Sequence, residues 1–307
     1  MLTQITISAV AHLALAFGLP PLVLGTINKT KALLAGRIGP PLLQPYYDLV
    51  KLLRKGTVLS TTATWVFLAG PAVGLAAATL AVLMVPLPGA DAPISFVGDF
   101  VVLTLLLGLG RFFTALAALD TGSAFEGMGA AREMTFACLA EPALLLGLLV
   151  LARLSGSLQL SAMLGESLTA QWTVAGATLA LVFLSWFIVM LAENSRIPFD
   201  DPNTHLELTM IHEVMVLDHS GPALGMILYA ASLKLFIFAA LVVRLAVPVH
   251  TGQPWLDAAV FIAGVLAVGV AIGLIESTVA RLRLPQSPVL LLAACLLSAF
   301  GAILLVR

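Results

Sequence analysis

Apolar residues fall in eight long runs separated by short polar gaps. The runs cover residues 5–27, 65–86, 98–119, 131–153, 171–192, 221–246, 256–280 and 287–306. Each can carry a helix across a hydrocarbon layer of roughly 30 Å, which takes about 20 residues. The pattern predicts an all-α, polytopic membrane protein with about eight transmembrane helices, built as a single integral membrane domain over residues 1–307. No gap leaves room for a separate soluble domain. The first gap carries a further element. Its start, Arg37-Ile-Gly-Pro-Pro, breaks helix. From Pro45 onward, Tyr46, Leu49, Val50 and Leu53 recur at helical spacing, with Lys51, Arg54 and Lys55 mostly off that stripe. This reads as a cytoplasmic amphipathic helix lying at the membrane surface and touching lipid. Segment 157–168 is mildly amphipathic and is given no further role.

Composition agrees: 60% of the residues are hydrophobic, only 10% are charged, and the mean hydropathy is +1.07. The net charge of -1 says little, but the placement of charge says more. Lys29, Lys31, Arg37, Lys51, Arg54 and Lys55 follow the first run, Arg196 the fifth, and Arg281 and Arg283 the seventh. The gaps 87–97, 154–170 and 247–255 hold no Lys or Arg. Basic gaps stay in the cytoplasm, so the charged loops are expected inside and both termini outside. The first run carries neither the flanks nor the cleavage pattern of a signal peptide. Cys138 and Cys295 lie inside apolar runs and read as small buried hydrophobes. There is no cysteine cluster, glycine-rich phosphate loop or nucleophile elbow. The chain is expected to be non-catalytic alone, with no cofactor, no metal and no nucleic-acid partner. His12 and His250 read as structural.

Against this apolar background the segment 193–213 is exceptional. It gathers Glu193, Arg196, Asp200, Asp201, His205, Glu207, His212 and Glu213 between two apolar runs. Desolvating such groups is costly, so a mixed-sign set with two histidines points to a proton path or a docking surface. Arg196 can hold a carboxylate in a fork and shape the loop, while Pro198 and Pro202 stiffen it. The turn after the third run adds Asp120 and Glu126, and the fourth run adds Glu133 and Glu141. Those two lie eight residues apart, on roughly one helix face. Glu141 lies about two turns into the run beside Pro142 and is expected to face protein or water, either as a proton relay or in an ion pair with Arg111, Arg132 or Lys234. Lys234 sits mid-run and needs a partner, whereas Glu276 reads as interfacial. The candidate proton path is therefore Asp120, Glu126, Glu133, Glu141, Glu193, Glu207, Glu213 and Lys234. The candidate docking and loop-shaping residues are Arg37, Arg196, Asp200, Asp201, His205 and His212.

Three elements occur in order along the chain: Arg37-Ile-Gly-Pro; Gly122-Ser…Gly127…Arg132-Glu133…Ala140-Glu141-Pro142; and Glu193-Asn-Ser-Arg-Ile-Pro-Phe-Asp-Asp-Pro-Asn-Thr-His-Leu-Glu-Leu-Thr-Met-Ile-His-Glu213. Together they resemble the eight-span membrane subunit shared by respiratory complex I and the energy-converting nickel–iron hydrogenases. The stretch from Asp200 to Glu213 resembles the hydrogenase branch, which includes formate hydrogenlyase. The resemblance implies a prokaryotic inner-membrane anchor for hydrophilic nickel–iron hydrogenase-like large and small subunits. It also implies antiporter-like membrane partners, reached by a proton path of acidic residues. Two alternatives stay open: a quinone-site subunit of complex I, and a stand-alone secondary transporter. The lack of an internal repeat argues against the second.

Overall fold

The computed structural model describes residues 2–88, 92–200, 210–248 and 251–305, with side chains from Val10 onward. The described residues form eleven α-helices, and eight helices are long and apolar enough to span a membrane. The protein is multi-pass. The first span departs from the expected run. Instead of closing near residue 27, helix α1 (Leu2–Gly18) gives way at Leu19 to α2 (Pro20–Leu34), so the helical path continues through the basic residues Lys29 and Lys31. Pro20 and Pro21 start α2 at the positions where a missing N–H costs nothing. Gly36, at φ 67°, then closes it. The N–H of Gly36 bonds the Leu33 carbonyl and the N–H of Arg37 bonds the Ala32 carbonyl.

The stretch expected to be amphipathic is helical, α3 (Gln44–Leu53), and none of its residues is fully buried. Tyr46 donates its hydroxyl to the Gly18 carbonyl, which ties α3 to the break between α1 and α2. The remaining spans are α4 (Trp65–Met84), α5 (Asp99–Asp120), α6 (Ala124–Ser155), α8 (Ser167–Glu193), α9 (Gly221–Ala246), α10 (Pro254–Thr278) and α11 (Ser287–Leu304). Helix α6 starts earlier than its apolar run, because Glu126 and Glu133 are buried within it and do not end it. The short α7 (Leu160–Met163) folds inward: the Leu160 N–H donates to Asp99 at 2.7 Å, and Leu160 and Met163 are fully buried.

Helix α9 is the central column, buried over most of its length and packed on α2, α3, α4, α8 and α10. Helices α4 and α5 pack closely, since a Cβ at Gly70 would come 2.7 Å from that of Ala117. Cys138 corrects the sequence expectation: it is exposed on the outer face of α6. The loops sort into two ends. At one end, Ser220 bonds the backbone of Val58, and Leu282 donates to Pro198 at 2.9 Å. At the other, Gly98 donates to Leu158, Arg244 to the Leu164 carbonyl, and Thr169 to the Pro248 carbonyl. The gaps after the first, fifth and seventh runs therefore share one end, and the gaps 87–97, 154–170 and 247–255 share the other.

Candidate functional site

Arg111 stands in the middle of α5 with only 8% of its surface exposed. A lone buried guanidinium is costly to desolvate and must be paired. Three helices supply carboxylates or cations to it. Arg111 Nη2 donates to both oxygens of Glu193, at 2.9 and 2.7 Å, from the last residue of α8. Nη1 donates to Glu141 Oε1 at 2.5 Å, and Nε faces Glu133 Oε1 at 3.7 Å, both on α6. Lys234 of α9 adds a second cation, with Nζ 2.9 Å from Glu193 Oε2. The five groups make one network of two cations and three carboxylates. The eight-residue spacing in α6 is what lets both Glu133 and Glu141 reach one arginine.

The network divides two spaces. On one side lies a cavity of about 370 Å³, open toward the end where the basic gaps gather. Arg111, Glu133, Glu193 and Lys234 line it, together with Pro21, Leu24, Leu49 and Gly74. On the other side an open groove runs along the outer face of α5 and α6, walled by Val102, Leu105, Leu109, Phe112 and Leu145. Glu141 and Thr104 are its polar side chains. The Glu141 side chain is 42% exposed. Its inner oxygen is fixed on Arg111 while its outer side meets an apolar lateral surface at membrane depth.

A second ionic knot holds the loop end. Glu276 stands in the last turn of α10. Its side chain is fully buried between Lys31 Nζ, at 2.7 Å, and Arg196 Nη1, at 3.3 Å. Arg196 therefore grips α10, and among the described residues it pairs with no carboxylate of its own loop. Asp200 is 1% exposed, accepts from the N–H groups of Ile211 and His212 at 3.0 and 3.2 Å, and faces Arg281 at 2.8 Å. It shapes the loop from inside and is not a free surface carboxylate. The loop leaves α8 through Ser195, whose φ of 50° is unusual for a residue with a side chain.

Other candidate residues lie elsewhere. Asp120 caps α4, accepting from the Thr64 N–H and hydroxyl at 2.7 Å each and from the Phe67 N–H. Glu126 is buried and engaged by the Thr121 hydroxyl and the Asp218 N–H. Both are braces of this end, outside the Arg111 network. His212 and Glu213 line the cavity, and Arg37 is exposed in the loop before α3. Asp201, His205 and Glu207 lie outside the described residues. Among the described residues no group of side chains could hold a metal ion.

The family model described as NADH dehydrogenase matches residues 7–307. The chain belongs to the NADH dehydrogenase family. Within that family it is 33% identical to hydrogenase-4 component C of Escherichia coli K12, over 91% of this chain and 89% of that one. It is 32% identical to formate hydrogenlyase subunit 4 of the same organism, over 89% of each. It is 34% identical to an NADH-quinone oxidoreductase subunit of Rubrobacter xylanophilus, over 56% of this chain and 53% of that relative. A solved structure of an archaeal respiratory membrane complex, the membrane-bound sulfane sulfur reductase, contains a chain of the same fold. The TM-score is 0.82 with 22% identity, over 98% of this chain and 99% of that one.

For a member of the NADH dehydrogenase family with these relatives, the resemblance drawn from the three sequence elements holds. What sequence reading left off its candidate list is Arg111 itself, named there only as a possible ion-pair partner. Its signal was present: a single cation inside an apolar run that also stands opposite a glutamate-bearing run. Lys31, Glu276 and Arg281 were read as boundary charges and prove to be fasteners.

Proposed function

We propose that the chain is the membrane anchor and ion-translocating subunit of a hydrogenase-type respiratory complex in a prokaryotic cytoplasmic membrane. The charged loops face the cytoplasm and both termini face outside, an orientation supported by the gathering of the basic gaps at one end. Hydrophilic nickel–iron hydrogenase-like large and small subunits sit on that end, over the mouth of the cavity. Antiporter-like membrane subunits cover the lateral groove. The chain carries no cofactor and does no redox chemistry alone.

The observation that carries this reading is the Arg111 network, which reaches from a cavity beneath the loop end to a carboxylate on the lateral surface. A carboxylate half exposed at membrane depth is costly against lipid and is satisfied against protein. Relatives named as components of hydrogenase-4 and formate hydrogenlyase support such covering subunits. The test is Glu141→Gln in the complex purified through this chain and reconstituted in vesicles. Partner subunits should co-purify in full while turnover and proton movement fall together. A Glu141→Gln complex that pumps and turns over normally would overturn the reading.

The walls of the cavity favour a second reading, in which a quinone enters it. Apolar surface outweighs polar surface there, as in sites for small apolar ligands. Competition by a quinone analogue for turnover of the assembled complex separates the two. Inhibition relieved by added quinone favours the second reading, and insensitivity favours the first.

A further inference from the structure

Arg111 is the partition between the cavity and the groove, and its three contacts are unequal. The Glu193 contact is the anchor, since both carboxylate oxygens are engaged by Nη2 and Lys234 holds the same group. The Glu141 contact is a single hydrogen bond from Nη1. The Glu133 contact is only an approach at 3.7 Å, and Nε has no hydrogen-bond acceptor among the described residues. A guanidinium pivoting on Glu193 can therefore trade the groove-side carboxylate for the cavity-side one without losing its charge partner. Gly108 clears the way on the groove side: a Cβ there would stand 3.3 Å from Glu141 Oε1.

We propose that Arg111 is a gate, closed when it holds Glu141 and open when it turns to Glu133. This rests on the reading of the chain as an ion-translocating subunit. The charge count gives the gate its cargo. Two cations against three carboxylates leave one negative charge unmatched, room for one proton. In the closed state that proton sits on Glu133 at the cavity, and the ionised Glu141 is covered by Arg111. On opening, Glu133 gives up the proton and meets the guanidinium, while Glu141 takes the proton and faces the groove as a neutral acid. Arg111 stays protonated throughout, as its high basicity requires. A cation standing between the cavity and the groove repels stray protons, the device by which a pore arginine excludes them. Arg111 is thus a positioning residue for the carried proton and not a carrier.

The gate and the glutamates behave oppositely on substitution. In the reconstituted complex, Arg111→Gln should lower the protons moved per turnover by half or more at whatever turnover rate remains, because the partition no longer holds. Arg111→Lys, which keeps one charge but cannot span the carboxylates, should slip in the same direction to a smaller extent. Infrared spectra of the complex at neutral pH should show more carboxylic acid absorption in Arg111→Gln than in the parent, returning to the parent level in Arg111→Gln with Glu141→Gln. Recovery of partner subunits shows whether each variant assembles; if Arg111→Gln does not, Arg111→Lys decides. If the assembled variant keeps the parent ratio, or loses turnover at an unchanged ratio, Arg111 is no gate. That result leaves the ion-translocating reading standing, because the latter falls only if Glu141→Gln is silent.

Discussion

Lys234 Nζ and Glu193 Oε2 stand 2.9 Å apart, joining the middle of α9 to the last residue of α8. The pair explains how an ammonium group rests inside an apolar helix, and it also neutralises part of the charge that Glu193 shares with Arg111. Removing Lys234 leaves Glu193 held by Arg111 alone, whereas removing Glu193 takes the anchor from both cations. Lys234→Met should destabilise the chain by about 1.5–3 kcal/mol, the scale for a hydrogen bond to a charged group. Glu193→Gln should cost more. Thermal unfolding in detergent measures both, and a Lys234→Met protein as stable as the parent would remove the pair from the account.

Glu276 predicts a different failure. It bridges Lys31 on α2 and Arg196 on the loop, so Glu276→Gln leaves two cations facing a neutral amide. The expected outcome is a loosened loop end with the spans intact. Hydrogen exchange should rise over residues 194–200 and in the last turn of α2, and stay at parent levels in the middle of α9. Uniform exchange across the chain would mean that Glu276 supports the whole bundle and not this junction.

The spans were legible in the sequence because helix length and hydropathy are local properties, and lipid leaves few other solutions. The end of each span was less so. Residues 28–34 of α2 and 124–130 of α6 are helical beyond their apolar runs, since Lys31 and Glu126 find partners from distant segments. Of the network at Arg111 the sequence offered only the pairing with Glu141, as one of three candidates; Glu193, Glu133 and Lys234 join it from positions too far apart for spacing to reveal. Asp120 and Glu126 show the converse. A capping carboxylate and a proton-carrying one have the same spacing and the same neighbours in sequence, and only the hydrogen bonds to Thr64, Phe67 and Asp218 distinguish them.

His219 gives the loop end a pH dependence. It lies between the spans, stacked on Phe67 with ring centroids 3.9 Å apart, and Nε2 is 3.3 Å from the Phe67 carbonyl oxygen. Burial pushes its pKa below the ordinary histidine value, with the Phe67 carbonyl and Asp218 opposing in part. The unfolded chain therefore takes up the proton first as pH falls. Stability contributed by the neutral ring is fully present above about pH 6.5 and is lost as pH drops below it. His219→Phe keeps an aromatic ring against Phe67 and removes the titrating group. Its unfolding temperature should change less than that of the parent between about pH 7 and about pH 5. Parallel curves would assign the acid sensitivity to other groups.

Asp200 tests whether the loop end is a docking surface at all. At 1% exposure it cannot itself touch a partner. Its carboxylate holds the backbone of Ile211 and His212 and the guanidinium of Arg281, so it sets how the loop meets the link between α10 and α11. Hydrogen bonds to a charged acceptor are stronger than those to a neutral one, and each contributes about 1.5–3 kcal/mol. Asp200→Asn should keep the side chain's size and lose much of that hold, lowering recovery of hydrophilic partner subunits when the complex is purified through this chain. Arg281→Met should act in the same direction but more weakly, and the double variant should do little more than Asp200→Asn alone, because Arg281→Met breaks a contact that Asp200→Asn has already weakened. If Asp200→Asn alters exchange over residues 196–200 and 210–219 yet leaves partner recovery at the parent level, the loop is rearranged without consequence for assembly, and the peripheral subunits are held elsewhere.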